Sequence, residues 1–408
     1  MKVLKIILLV CNSALSLLLV WININLYTTH DPLEKRQDIL LQLNFLEDEL
    51  KHKHLGDRMQ RIFPEGFVFT NVLYGLSWCE YGMAETEPRK TRPLYEALYA
   101  YKQVHSDKAR FIFTPDLQPA YGIYYTGWKN YLLSKILLLD SGFTGSDTLK
   151  AAFRNQCDSI AAALKQSKTP YLQSYDHASW PADMCTALAS LSNHDRIFEP
   201  KYRELISVWI QQVKTRLDPE TRLIPHSTDA LTGKTTEGAR GSSSSLMLRL
   251  LAEVDSNFVG EQYQLYKMYF VSKTFGLPSI REYPVGQTGK GDIDSGPVIF
   301  GVGFAGTIVS IGSFSVMGQQ ELAEQQYLTV HAFGMSCKTG NTKKYAFGQL
   351  PLADAFIAWG RSSGLNYSGD VNQPGSWRIM FHLYSLLTIA LLWLPFYLRP
   401  FFSKSKTK

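Results

Sequence analysis

The sequence predicts an all-α fold, an (α/α)6 toroid flanked by an N-terminal and a C-terminal transmembrane helix. Three observations predict it. First, a loop carrying Gly, Pro, Trp or acidic residues opens into an apolar stretch five times, at intervals of roughly 50 to 60 residues, a period that holds two ordinary helices and their connections. These starts fall near Trp128 and at Trp180-Pro181, Arg240-Gly241, Ser295-Gly296-Pro297 and Leu350-Pro351, with a sixth ahead of Asn71. Second, apolar stretches alternate with amphipathic ones; helices apolar all round belong inside and those with one polar face outside. Third, both ends of the chain carry long apolar runs.

Residues 6–20 are almost wholly apolar and follow Lys2 and Lys5. No small-x-small cleavage site follows at Val20-Trp21-Ile22-Asn23, so residues 1–27 read as an uncleaved signal anchor. Residues 36–365 are assigned to the toroid. Its first helix, 36–62, is amphipathic, with Leu40, Leu43, Leu46 and Leu50 at helical spacing. A more apolar helix, 67–82, follows Pro64, and Pro93 opens the amphipathic 91–104. The alternation continues with 120–139 apolar, 147–166 amphipathic, 181–191 small and apolar, 199–216 amphipathic and 242–254 small and apolar. Segments 257–273, 297–314, 318–335 and 351–361 complete the set. Ala, Ser and Gly in the apolar helices let axes approach closely, and Pro at a first helical position is well tolerated. Segments 221–241 and 279–295 are expected to be long irregular polar loops, of a kind that is usually functional. Residues 377–399 give a second apolar span, long enough for a hydrocarbon core of about 30 Å, and 400–408 a basic cytoplasmic tail. Lys2 and Lys5 precede the first span, and Arg399, Lys404, Lys406 and Lys408 end the second. The positive-inside rule then places both termini in the cytoplasm and the toroid on the far side of the membrane.

The 408 residues are 45% hydrophobic and 19% charged, a globular composition. The net charge of +6 gathers partly at the termini. No dense basic stripe, zinc-finger spacing or RNP-like motif is present, which excludes a nucleic-acid binder. There is no HExxH, no His pair at ligand spacing and no EF-hand loop, so no metal is expected. Gly301-Val302-Gly303-Phe304-Ala305-Gly306 has dinucleotide-loop spacing but falls inside a predicted helix, so no cofactor is expected either. Ser242-Ser243-Ser244-Ser245 lacks the nucleophile-elbow pattern. Cys11 lies in the anchor; Cys79, Cys157, Cys185 and Cys337 form no CxxC pair, and the pairing of a single bridge is not deducible.

Three loops carry the chemistry. Tyr175-Asp176-His177-Ala178-Ser179-Trp180-Pro181-Ala182-Asp183 and Gly291-Asp292-Ile293-Asp294-Ser295-Gly296-Pro297 each end at an inner-helix start, and a third passes through His226, Asp229, Glu237 and Arg240. Parallel inner helices would bring these loops to one mouth. Asp176, Asp294 and Glu237 are the candidate acid and base, with Asp183 and Glu80 in reserve, because acid–base catalysis needs carboxyls whose environments separate their pKa values. Asp183 and Asp292 would equally serve as helix-terminal caps. His226 is a candidate proton shuttle, and Arg240 suits a carboxylate or phosphate on a ligand or a structural salt bridge. Tyr124, Tyr125, Trp128, Trp180 and Tyr283, with Tyr175, suit a stacking surface or core packing. Cys185 is expected on an inner helix near these loops.

With Leu223-Ile224-Pro225-His226 and Gly238-Ala239-Arg240-Gly241, the first two segments make residues 60–365 resemble bacterial (α/α)6 proteins of the linalool dehydratase/isomerase-like group. The resemblance implies an extracytoplasmic toroid, here on a bacterial inner membrane and so periplasmic. It also implies a pocket between inner helices and cofactor-independent chemistry on an alkenol by cysteine, tyrosine and acidic residues. The fold's usual clients and the acid-plus-aromatic mouth favour a glycan instead. The expected function is therefore a membrane-anchored hydrolase or lyase/isomerase on a glycan or terpenoid-like alcohol. The alternative is a non-catalytic envelope binding or assembly protein that uses the pocket for recognition.

Overall fold

The computed structural model describes residues 2–28, 31–175, 177–367 and 375–403. Its helices are α1 (Lys2–Asn25), α2 (Pro32–Lys51), α3 (Leu55–Gln60), α4 (Gly66–Met83), α5 (Thr91–Val104), α6 (Asp107–Arg110), α7 (Gly122–Leu139) and α8 (Ser146–Gln166). They continue as α9 (Pro181–Ile197), α10 (Arg203–Lys214), α11 (Gly241–Leu251), α12 (Ser256–Tyr269), α13 (Phe304–Val316), α14 (Gln320–Phe333), α15 (Pro351–Ser363) and α16 (Ile379–Ser403).

Helices α4, α7, α9, α11, α13 and α15 each pack against the next, and α15 returns to α4, so they close a ring. Their sequences explain the placement. In α4 and α7 nearly every residue is buried, including polar ones such as Asn71, Ser77, Asn130 and Ser134, so neither has an outward face. Small residues allow the ring to be tight. A Cβ on Gly127 of α7 would lie 2.4 Å from the Thr186 hydroxyl of α9. The outer layer is α5, α8, α10, α12, α14 and α2, each against an inner partner. These are amphipathic: α10 buries only Ile206, Trp209, Ile210 and Val213. The first outer helix closes the ring on the last inner one. On α2 the Asp38 carboxylate, buried, pairs with Lys343, with Arg361 of α15 at 2.8 Å and with Lys338 at 2.8 Å.

Sheet is confined to short antiparallel ribbons among the described residues. They are β1 (Ala178–Ser179) with β2 (Ser227–Asp229) and β3 (Thr235–Glu237), β4 (Val271–Thr274) with β5 (Leu277–Ile280), β6 (Val298–Ile299) with β7 (Val302–Gly303), and β8 (Cys337–Thr339) with β9 (Thr342–Lys344). They correct several expectations. The 221–241 and 279–295 segments are not wholly irregular, since β2, β3 and β5 order parts of them. The helix expected over 297–314 begins only at Phe304, because β6 and β7 turn back on each other through Phe300 (φ 53°) and Gly301 (φ 81°). The glycine-spaced run at 301–306 therefore straddles a hairpin and a first helical turn and does not lie inside a helix. The helix expected over 36–62 is two, α2 and α3, broken at His54 (φ 52°). Trp128 lies in the second turn of α7, not at its start.

At the two ends, α1 and α16 are long and apolar, with mean hydropathy 2.4 over Val3–Asn25 and 1.8 over Gly375–Tyr397. They run antiparallel against each other. Asn12 donates to the Leu392 carbonyl (2.6 Å), the Trp393 indole to Ser16 (3.0 Å) and Asn23 to Ser385 (3.0 Å). Most of their remaining surface is exposed apolar side chain, such as Leu4, Leu17, Leu386 and Leu391. Among the described residues, the end of α1 with the residue that follows it and the first two turns of α16 reach the toroid, where Ile22, Leu26 and Phe381 pack with Leu277, Tyr327 and Leu328.

Candidate functional site

All six inner helices begin at the same end, and their first turns enclose a cavity of about 180 Å³. Its wall takes Phe69 from α4, Tyr124 and Trp128 from α7, Asp183 from α9, Ser242 and Ser243 from α11, Ala305 and Val309 from α13, and Leu352 and Phe356 from α15. The loops ahead of these helices add Phe63, Glu65, Tyr175, Trp180, His226, Ile293 and Asp294. Six helix N-termini thus converge on one space, a setting that favours negative charge.

The aromatic side chains interlock by edge-to-face and tilted contacts. The Phe69 ring lies 5.1 Å from Trp128 and 5.2 Å from Phe356, and Tyr175 lies 5.2 Å from Trp180 and 5.9 Å from Tyr124. Three carboxyls line this cage, and among the described residues no cation is bonded to any of them. Asp183, buried in the first turn of α9, accepts from the Ser174 hydroxyl (2.7 Å) and the Trp128 indole (3.3 Å). Ser174 also accepts the free Trp180 amide at the start of α9 (3.1 Å), so one hydroxyl caps the helix and positions the acid. Burial pushes the Asp183 carboxyl up to about 7, against the pull of Ser174 and Trp128 and with a further push from Glu65 and Asp294. Burial likewise lifts Glu65 to about 6, with Asp294 adding to it. Asp294 stands on the exposed lip of the mouth, yet the surrounding walls raise it too, with the like charge of Asp292 and against Arg240.

The lip itself is tied down. The Arg240 guanidinium donates to Glu282 (2.8 Å) and to Asp292 (2.5 Å), and Asp292 accepts the amides of Asp294 (3.1 Å) and Ser295 (2.8 Å). Although burial would raise Asp292, Arg240 and Ser295 hold it well below the usual carboxylate range. Arg240 is therefore a positioning residue for the 291–297 loop and does not line the cavity. Burial, with Arg240 nearby, lowers His226 to about 4, so it is neutral at ordinary pH. Its buried Nδ1 has no partner among the described residues.

Of the residues singled out in the sequence, Asp183, Asp294, His226, Tyr124, Trp128, Tyr175 and Trp180 line this cavity. Asp176 lies outside the described residues. The other candidates sit elsewhere for simple geometric reasons. Tyr125 follows Tyr124 by one helical step, faces the outer layer and donates to the Val104 carbonyl (2.9 Å). Cys185, two steps beyond Asp183, is fully buried between helices. Glu237 is exposed on β3, 3.5 Å from Arg240 and 3.8 Å from His226. The Tyr283 hydroxyl donates to the Lys290 carbonyl (2.6 Å), bracing the lip loop. Glu80 belongs to the opposite end of the ring. Glu65, which also lines the cavity, is not among the sequence candidates, although Pro64-Glu65-Gly66 before α4 carries the same Pro, Gly and acidic punctuation as the other mouth loops.

At that opposite end the inner helices finish on a closed ionic network. Lys135 lies 3.0 Å from Glu80 and 3.2 Å from Glu253, and Arg249 lies 2.9 Å from Glu80. Tyr131 (2.7 Å) and Asn193 (3.1 Å) also donate to Glu253. Burial would raise Glu253, but Lys135 and Arg249 with these bonds hold it down to about 2. All four cysteines on the toroid are free, so no bridge forms.

No protein-family model matches this sequence, and no curated protein does. Among solved structures, the chain is similar to an unsaturated glucuronyl hydrolase specific for heparin, at TM-score 0.50 and 10% identity over 85% of this chain and 97% of that one. It is also similar to a D-mannose isomerase (TM-score 0.48, 11% identity, 72% and 86% of the two chains) and to a GH76 alpha-mannanase from Bacteroides thetaiotaomicron (0.47, 10%, 73% and 86%). The chain has the toroid fold. None of the three is a linalool dehydratase, and the likeness is one of architecture.

Proposed function

We propose that this protein is a membrane-anchored toroid enzyme that acts on a glycan by acid–base chemistry, as a hydrolase or isomerase. The observation that carries this reading is the set of three carboxyls, Glu65, Asp183 and Asp294, each raised by burial, around one aromatic cavity at the convergence of six helix N-termini. Aromatic faces suit the apolar faces of sugar rings, and carboxyls with raised pKa carry a proton to a leaving oxygen near neutral pH. In this reading Asp183 is the general acid, set by Ser174 and Trp128. Asp294 on the lip is the base that activates water or a substrate hydroxyl, and Glu65 shares the proton load. Neutral His226 offers a hydrogen bond to the bound sugar from behind the lip.

The alkenol reading is less well supported, because the thiol that would accompany it is absent from the wall: Cys185 is buried away from the cavity, and burial pushes its pKa above the usual thiol range. Antiparallel packing of α1 and α16, with exposed apolar surface and polar bonds between them, supports a two-helix membrane anchor with both chain ends on one side. Lys2 and Lys5 assign that side to the cytoplasm by the positive-inside rule.

The test is an oligosaccharide screen on the full chain, since α1 and α16 complete part of the toroid core at Ile22, Leu26 and Phe381. Wild type is compared with Asp183→Asn and Asp294→Asn. Turnover by wild type that both variants lose is the expected result; equal turnover in all three removes the assignment.

A further inference from the structure

The mouth end of the toroid is also the end from which the apolar hairpin departs. Outer helices finish where inner ones begin, and α16 leaves the domain beside those finishing ends: Phe381 packs on Phe333, the last residue of α14 (5.7 Å), and Tyr384 packs on Phe275 (5.9 Å). Phe275 is the turn of the β4–β5 ribbon after α12, and at the neighbouring Gly276 a Cβ would lie 2.5 Å from that of Met380. From Tyr384 the aromatic contact continues through Phe275 to Phe300 (5.2 Å), the turn of the β6–β7 ribbon, which leads directly into the mouth at Ala305. Phe300 is 74% exposed, and Phe347 and Leu350, ahead of α15 at the same end, are 60% and 62% exposed. Apolar loop tips that touch each other beside an apolar helix, as Phe275 and Phe300 do beside Tyr384, are unusual on a surface facing water and usual where a protein meets a bilayer.

We infer that the mouth of the toroid rests on the membrane surface through Phe275 and Phe300, and that its substrate is an amphiphile drawn from that surface, a glycan carried on a lipid. The seating follows from the path of α16; the glycan headgroup rests on the function proposed above. An apolar lip on the membrane side would let the lipid tail stay in the bilayer while the sugar enters the carboxyl cavity. Steric access from bulk solution is then the lesser route, and a free glycan is the poorer substrate.

The experiment uses the full chain in phosphatidylcholine–phosphatidylglycerol nanodiscs, with Cys11 and Cys337 replaced by serine because the remaining thiols are buried. A spin label at Phe300→Cys is compared with one at Asp147→Cys, at the start of α8 on the opposite end. The expected result is greater collision with oxygen than with a water-soluble nickel chelate at 300 and the reverse at 147. Water-like accessibility at 300 overturns the seating, as does label-to-label broadening showing that a second copy covers the patch. In a second arm, Phe275→Asp/Phe300→Asp is expected to lower kcat/KM about tenfold for oligosaccharides linked to dialkylglycerol, while leaving the same free oligosaccharides unchanged. Equal loss on both forms overturns the substrate class. If wild type turns over neither form, the glycan reading falls and the substrate class with it, while the label still decides the seating. If 300 is water-like but free glycan is turned over, the seating alone falls.

Discussion

The two ends of the inner ring treat their carboxylates in opposite ways. At the closed end, Glu80 and Glu253 are neutralised by Lys135 and Arg249; Tyr131 and Asn193 donate to Glu253, Asn366 donates to Glu80, and Arg249 also donates to the Ser363 hydroxyl. At the mouth, Glu65, Asp183 and Asp294 share a cavity in which, among the described residues, no cation is bonded to them. Both ends follow helix electrostatics, with cations at C-termini and anions at N-termini. Of the two ends, the mouth leaves its acids without an ion pair among the described residues. In the proposed reading the closed end is structural, and the mouth gives up stability for a site that can exchange protons.

Breaking the closed end has the largest expected effect. Lys135→Met leaves Glu80 and Glu253 sharing Arg249 alone, and removing one member of a buried ionic group costs about 3–5 kcal/mol. Thermal unfolding in detergent would show a large fall in Tm, and an unchanged Tm would mean this end is not structural. At the mouth the outcome inverts. Asp183→Asn should lower turnover about a thousandfold, within the usual range for a general acid, with no loss of Tm at pH 7. A Tm loss as large as that of Lys135→Met would erase the contrast.

A pH series sharpens it. The folded pKa of Asp183, about 7, lies above its ordinary value of 3.8, so between these values the folded state holds more protons than the unfolded one. The stability this contributes is fully present below pH 3.8 and is lost as pH rises through about 7. Wild type should therefore lose about 2–4 kcal/mol relative to Asp183→Asn between pH 4 and 8. Glu253, depressed from 4.5 to about 2, works the other way: its contribution is present above pH 4.5 and lost as pH falls through about 2. The smallest effect is expected from the cage. Trp180→Ala should raise KM about tenfold with kcat nearly unchanged, the loss of one stacking face; a fall in kcat alone would place Trp180 among the proton-transfer groups.

The ring was legible because inner helices must be apolar all round, and Pro181, Pro351 and the serine run at 242–245 mark helix starts. The convergence of Trp180, Asp183, His226 and Asp294 followed from parallel inner helices. What the sequence hid was angular and local. One helical step separates Tyr124 in the cavity from Tyr125 behind it, and two separate Asp183 from Cys185; the sequence does not say which face turns inward when every face is buried. The hairpin at 298–303 reads as helix because its glycines are also small packing residues. Glu65 is hard to single out because its loop is short, and the sequence leaves Arg240 open between a ligand and a salt bridge because its partners Glu282 and Asp292 come from a distant segment.

The most direct test of the account is the protonation of the mouth. Infrared titration of the full chain should show a protonated-carboxyl signal that disappears near pH 7 and is missing from Asp183→Asn. Finding no carboxyl that titrates near neutrality, or finding the same titration intact in Asp183→Asn, would contradict the claim that the mouth holds its proton on Asp183.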